Sequence, residues 1–189
     1  GGKVITELQN QFNLPTHKVD GLRVTNAESM RLTEMAMSGH ANKIIVAALQ
    51  AAGVDAIGLS GVDGGLLRCH KRQHPTADLG YVGKIDSVRT ELLHQLIDVG
   101  LTAVISPVSL GHDDHHAYNV NADDAARAVA LAINASQLTF ISNVPGVLHN
   151  GAVLPQLTLA QTEQLITDGI ITDGMVTKVR SALTAVQNG

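Results

Sequence analysis

A chain of 189 residues, 44% of them hydrophobic, is long enough to bury a substantial core and is not an unstructured polymer. Its net charge of -4, without a basic run, argues against a nucleic-acid surface, and its single cysteine, Cys69, cannot form an internal disulfide. Gln50, Asp55 and Asp63 interrupt the best apolar stretch, so no membrane span is expected; Gly1-Gly2-Lys3 is unlike a signal peptide, and a reduced, cytoplasmic chain is expected.

Val4, Leu8 and Phe12 mark a first helix, preceded by Gly1-Gly2. Asn26 is placed to cap a second, with Met30 and Met37 on one side. Ile45, Ala48, Leu49 and Ala52 mark a third, closed by Gly53 as a left-handed residue. Ala56-Ile57-Gly58-Leu59 reads as a buried strand and residues 66–85 as a hairpin region. A helix is expected from about Ser87 to Val99, ended by Gly100, then a strand over Thr102–Ser106. Asn121 is an N-cap candidate for a helix with Ala122, Ala126, Val129 and Ile133 on its apolar side. Leu138–Ser142 reads as a strand, and Thr158 with Gln161 has capping-box spacing for a helix ended by Gly169. Asp173 is placed to cap a last helix whose inner face is Met175, Val179, Leu183 and Val186. Strands alternating with helices define an α/β fold around a mostly parallel sheet. Without a Pro/Gly/Ser linker, the chain reads as one domain of two lobes meeting near Tyr118.

There is no G-x-x-x-x-G-K-[ST] phosphate loop and no G-x-G-x-x-G fingerprint, and Val62 spoils a G-x-S-x-G elbow at Gly58–Val62. His112-Asp113-Asp114-His115-His116 falls at a hairpin tip. Neighbouring residues of an extended chain point opposite ways, so no metal site is expected there. Asn119, Asn121 and Asp123 alternate; capping explains Asn121 but does not require the other two, which points to a functional role for Asn119 and Asp123. Lys178 sits one turn past Met175. It is either a snorkelling surface lysine or a cation leaning back toward whatever the helix start holds. Arg23, just before the Asn26 cap, is either a surface charge or a planar clamp for a carboxylate. Two helix N-termini, one beside each of Asp123 and Lys178, offer unpaired N–H groups to phosphate, so the combination points to phosphoryl transfer.

Several stretches, in this order and spacing, resemble the amino acid kinase family over essentially the whole chain. They are Gly1-Gly2 before a helix, Gly21-Leu22-Arg23-Val24-Thr25, Ala41-Asn42-Lys43, Gly58-Leu59-Ser60-Gly61 with Asp63-Gly64, Tyr118–Asp123, Ser142–Leu148 and Gly169–Lys178. The wording Ile171-Thr172-Asp173-Gly174-Met175 is similar to the arginine-insensitive, dimeric bacterial branch that phosphorylates N-acetyl-L-glutamate in arginine biosynthesis. The resemblance implies a three-layer α/β sandwich of the carbamate kinase-like type, with a mostly parallel central sheet. Residues 1–118 would form a substrate-binding and dimerisation lobe, and residues 119–189 a nucleotide-binding lobe.

The implied activity is transfer of the ATP γ-phosphoryl, with Mg²⁺ held mainly by the nucleotide, to the side-chain carboxylate of N-acetyl-L-glutamate. The implied partners are those two substrates and a second copy of the chain, with no nucleic acid and no membrane. Gly1, Gly2, Arg23 and Asn119 match substrate-binding positions, Arg23 gripping the α-carboxylate; Asp123 matches the residue that organises catalytic lysines, and Lys178 the lysine on the ATP side. Asn143, Val144, Pro145, Gly146, Val147 and Leu148, with Ile170, Ile171 and Thr172, match nucleotide-binding segments. Asn143 stands where the family usually has aspartate. The family's first strand, carrying Lys-x-Gly-Gly with a second lysine, and its closing strands are not in this stretch. Truncation at both ends is therefore expected, with residues 1–189 alone inactive. A related kinase acting on another acidic substrate, such as a carrier-linked aminoadipate, and a non-catalytic nucleotide- or metabolite-binding module are the alternatives.

Overall fold

A computed structural model describes residues 2–141 and 144–188. The first helix, α1 (Gly2–Gln11), begins on Gly2 and buries Ile5 and Gln9. Val4 and Leu8 are only half-buried, and Phe12 lies beyond the helix, exposed. The inward stripe is thus one position off the expected Val4-Leu8-Phe12 line. Gln9 tolerates the interior because its Nε2 donates to Ser29 Oγ at 3.0 Å. A hairpin follows, β1 (Lys18–Val19) and β2 (Leu22–Arg23). Its turn, Asp20-Gly21, has φ of +49° and +78°, the mirror-image turn geometry that Asp-Gly accepts without steric cost.

Asn26 caps α2 (Ala27–Glu34), accepting from Ser29 N at 2.8 Å. The expected second and third helices are one continuous rod. Glu34, Met35, Ala41 and Asn42 all keep right-handed helical φ/ψ, and a π-helical segment, Met35–Ala41, joins α2 to α3 (Asn42–Ala51). A π turn adds a residue to the repeat, so the 3.6-residue periodicity jumps phase there and reads as a break. The inner side of α3 carries Asn42, Val46 and Leu49, while Ile44 and Ile45 are about half exposed. Asn42 Nδ2 donates to Leu59 O (3.1 Å) and Val104 O (2.8 Å), pinning the rod to two strands.

Those strands are β3 (Ala56–Ser60) and β6 (Thr102–Ser106), paired in parallel from Ala56↔Thr102 to Ser60↔Ser106. Between them come β4 (Leu67–Lys71), β5 (Gly83–Val88) and α4 (Thr90–Asp98). Ser87 lies within β5, which ends at Val88, so α4 starts three residues later than expected, at Thr90. After Pro107 the chain continues into β7 (Val108–Gly111), which lies parallel to β4, and β8 (Ala117–Asn119). The second sheet has the order β5-β4-β7-β8, with antiparallel pairs at both edges. The fold is α/β, with parallel pairing at its centre in both sheets. Leu66, Leu67, Cys69, Leu93, Tyr118 and Val120 form the core. Each buried leucine contributes about 1.5–3 kcal/mol relative to an exposed one.

Asn121 caps α5 (Ala122–Ala132), which packs on β5. The expected strand over Leu138–Ser142 is not formed over the described part: residues 138–141 pair with no backbone among the described residues, and Ile141 is almost fully exposed; Ser142 lies outside them. Apolar β-formers make a strand only where a ladder partner exists. A short hairpin, β9 (Leu148–His149) with β10 (Ala152–Val153), precedes α6 (Leu159–Thr167), whose start carries the expected Thr158–Gln161 capping box. The last helix, α7 (Asp173–Asn188), packs on α5. Asp173 is its first residue, not its cap, because Met175 N already bonds to Thr172 O. Helix ends at Gly53, Gly100 and Gly169 fall where expected. Among the described residues, no helix is long and apolar enough to cross a membrane.

Candidate active site

Gly2, Arg23, Asn119, Asp123 and Lys178 all line one cleft of about 290 Å³. They arrive from five places in the fold: the start of α1, the end of β2, the end of β8, the first turn of α5, and α7. Met37, on the π-helical segment, and Lys18 also face it. Ser38 Oγ lies 2.7 Å from Ser106 Oγ, which anchors that segment to the end of β6 beside Pro107, another lining residue.

The α5 wall is built around paired charges. Asn121 Oδ1 accepts from the N–H groups of Asp123 (2.8 Å) and Asp124 (3.2 Å), satisfying two donors that a helix start leaves open. Asp123 therefore leaves the first turn with a fixed direction. Lys178 Nζ donates to its Oδ1 at 2.8 Å and its Oδ2 at 3.0 Å. The same ammonium lies 5.8 Å from the centroid of the Phe140 ring. One residue on, Asp124 takes Arg72 Nη1 (3.3 Å) and Ser181 Oγ (3.5 Å), so α5 is tied to both α7 and the end of β4. Lys178 was expected to lean back toward the start of its own helix; its ammonium instead rests on Asp123, in the first turn of α5.

The Arg23 side of the cleft is built around an unpaired charge. Arg23 Nη1 donates to Gln9 Oε1 and to Thr16 Oγ1 (3.3 Å), and Nη2 to Thr6 Oγ1 (2.8 Å) and Gly2 O (3.2 Å). All four acceptors are neutral, and among the described residues no carboxylate pairs with this guanidinium. Burial lowers its pKa from the ordinary arginine value. Thr25 Oγ1 donates to Arg23 O (2.8 Å) and accepts from Asn119 Nδ2 (3.1 Å), which joins β2 to β8 at the cleft floor. Asn119 N in turn donates to Tyr81 O at 2.8 Å.

The other expected site residues lie elsewhere. Gly1 and Asn143 fall outside the described residues. Val144–Val147 lead into β9, Leu148 is its first residue, and Ile170–Thr172 join α6 to α7; none of these lines the cleft. Ile171 is buried, its N–H bonded to Leu165 O at 3.1 Å. The histidine-rich stretch does form the β7–β8 hairpin tip. Asp114 there accepts from Tyr118 Oη (2.7 Å) and His116 N (3.0 Å), which holds its carboxyl below the usual range. Asp86 Oδ2 is shared by His70 Nε2 (2.9 Å) and His112 Nδ1 (3.3 Å). Among the described residues no group of three or more His, Cys, Asp or Glu is arranged to hold a metal ion.

Sequence reading missed Thr6, Gln9 and Thr16, which hold Arg23, and Arg72 and Ser181, which hold Asp124. The available signal was Gln9, a polar residue four positions after Ile5 on the stripe that α1 buries. It becomes readable only once the helix phase is known.

One cleft holds two cations, Arg23 and Lys178, beside Gly2, Asn119 and Asp123, a set that suits a small-molecule phosphotransferase. The description of the amino acid kinase family matches residues 1–189, and the chain belongs to that family. It is 49% identical to the acetylglutamate kinase of Roseiflexus castenholzii and 45% identical to that of Geobacillus kaustophilus, in each case covering all of this chain and 72% of the relative. The solved Streptococcus mutans protein smu.665 superposes with a TM-score of 0.91 at 31% identity, covering all of this chain and 76% of that one. An N-acetylglutamate synthase structure from Neisseria gonorrhoeae shares the fold at a TM-score of 0.82 and 22% identity, over all of this chain and 43% of that one.

Proposed function

We propose that the protein transfers the γ-phosphoryl of ATP to the side-chain carboxylate of N-acetyl-L-glutamate. The observation that carries this reading is the convergence of Gly2, Arg23, Asn119, Asp123 and Lys178 on one cleft, with Arg23 short of a counter-ion. The 49% identity to acetylglutamate kinases over the whole chain supports the choice of acceptor.

In this reading Arg23 attracts the acceptor's α-carboxylate, and Asn119, whose Oδ1 has no partner among the described residues, takes a polar group of the acceptor. Gly1 and Gly2 are assigned to the reacting groups, and Gly2 lines the cleft. A side-chain carboxylate oxygen attacks the γ-phosphorus, the bond to the bridging oxygen breaks, and ADP leaves with that electron pair, giving an acyl phosphate. No proton needs to be moved, so positioning and charge neutralisation carry the rate. Lys178, held in direction by Asp123, faces the transferred oxygens. Residues 143–148 and 170–172 hold the nucleotide. Asp123 and Asp124 already serve Lys178 and Arg72, so the donor set fits Mg²⁺ held chiefly by nucleotide phosphates, where it would neutralise their charge. The two lobes, about residues 1–118 and about 119–189, carry acceptor and nucleotide in this account, with Asn119 at their boundary serving the acceptor. A homodimer fits the outward Ile44 and Ile45 of α3; sedimentation as a monomer would contradict that part.

The test is ATP consumption by the complete protein against a panel of acidic amino acids and their N-acyl forms. N-acetyl-L-glutamate is expected to give the highest kcat/KM. Preference for a different acid would overturn the choice of acceptor, and consumption independent of any acid would overturn the reaction class.

A further inference from the structure

Gln9 is completely buried on α1, where a helix facing a core ordinarily places an aliphatic residue. Its orientation follows from chemistry: a guanidinium has donors only, so the amide oxygen must face Arg23. Oε1 accepts from Arg23 Nη1 and from Thr16 Oγ1 (3.0 Å), while Nε2 donates to Ser29 Oγ (3.0 Å). Ser29 is itself fixed in the first turn of α2, its N–H donating to the Asn26 cap. A single amide thus joins α1, β2 and α2 around one cation. Buried hydrogen bonds in a low-dielectric setting hold geometry well, and a neutral acceptor does so without cancelling charge. A carboxylate in the same place would do both.

We propose that Gln9 is a positioning residue that aims Arg23 into the cleft while keeping its charge available for an anionic ligand. This deepens the proposed function and rests on reading Arg23 as the residue that attracts the acceptor's carboxylate. Amide chemistry at residue 9 sets how strongly the cleft draws a carboxylate, and it does so without touching the ligand.

The test compares Gln9→Glu, Gln9→Met and Arg23→Lys in the complete protein, by steady-state kinetics and thermal unfolding. Gln9→Glu keeps the size and the oxygen that accepts from Arg23 and Thr16, reverses the bond to Ser29 so that its hydroxyl donates, and adds a counter-charge. It should raise the KM for N-acetyl-L-glutamate at least about tenfold, the scale of one hydrogen bond to a charged group. The KM for ATP and kcat should stay within about twofold, the signature of lost ground-state acceptor binding, with no drop in Tm. Gln9→Met removes the acceptor without adding charge and should raise the acceptor KM less, about threefold. A purely structural amide predicts the reverse: the Met variant is the worse of the two, and Tm, kcat and both KM values move together. That pattern, or an unchanged acceptor KM in both variants, overturns the proposal. If Gln9→Glu does not fold, the acceptor KM of Gln9→Met decides alone. Arg23→Lys separates the two layers: an unchanged acceptor KM there sinks the clamp reading and this proposal with it. A raised KM there, with both Gln9 variants at the native value, sinks this proposal only.

Discussion

The two walls of the cleft carry the same charge and treat it in opposite ways. Lys178 is met by both oxygens of Asp123 at 2.8 and 3.0 Å, whereas Arg23 is surrounded by an amide oxygen, two hydroxyls and a backbone carbonyl. A paired cation is held in place and partly neutralised; a cation among neutral acceptors is held in place and left attractive. The difference assigns work. In the proposed function the Arg23 side would bind an anion in the ground state, and the Lys178 side would keep its ammonium aimed until negative charge develops nearby.

The sharpest way to break the comparison is to remove Lys178. Lys178→Ala should lower kcat at least about a hundredfold, the scale of one preorganised charge donor in a transition state. Native kcat with only a raised KM for ATP would make Lys178 a ground-state contact and erase the distinction between the walls. The Arg23→Lys arm described above should act on acceptor KM instead, because an ammonium cannot reproduce the planar fork that now meets four acceptors.

A smaller effect lies outside the cleft and calibrates it. Asp114 has its carboxyl lowered first by the Tyr118 hydroxyl and then by His116 N, without any cation as the main cause. A lowered folded value means that the stabilisation is present above the ordinary carboxylate value of about 3.9 and is lost as pH falls through the folded value. Tyr118→Phe should therefore be less stable than the native protein near neutral pH, by a modest amount because Asp114 is exposed. Urea unfolding at neutral pH and well below about 3.9 should show the gap closing in acid. A gap of equal size at both would assign the loss to the hydroxyl itself, independent of the Asp114 charge.

Elements whose signal is local were readable in the sequence. Asn26, Asn121 and the Thr158–Gln161 box cap helices as their side-chain chemistry dictates, and Gly53, Gly100 and Gly169 end them. Motif order named Gly2, Arg23, Asn119, Asp123 and Lys178, which do share one cleft, but not Lys18, Met37 or Pro107, which also line it, and it named residues 144–148 and 170–172, which do not. What was not readable depends on partners distant in the chain. The π-helical segment shifts phase between α2 and α3, Gln9 turns α1 by one position, and residues 138–141 have no ladder to join among the described residues. The neutral shell of Arg23 was hidden for the same reason, since Gln9, Thr6 and Thr16 look like ordinary surface polar residues until the hairpin folds over α1.

The most direct measurement is to trap the product. The complete protein, with ATP, Mg²⁺, N-acetyl-L-glutamate and hydroxylamine, should form ADP and N-acetylglutamyl hydroxamate in equal amounts, because hydroxylamine captures an acyl phosphate. ADP formed without hydroxamate, or hydroxamate formed at the same rate without N-acetyl-L-glutamate, would contradict the assignment of a carboxylate as the phosphoryl acceptor.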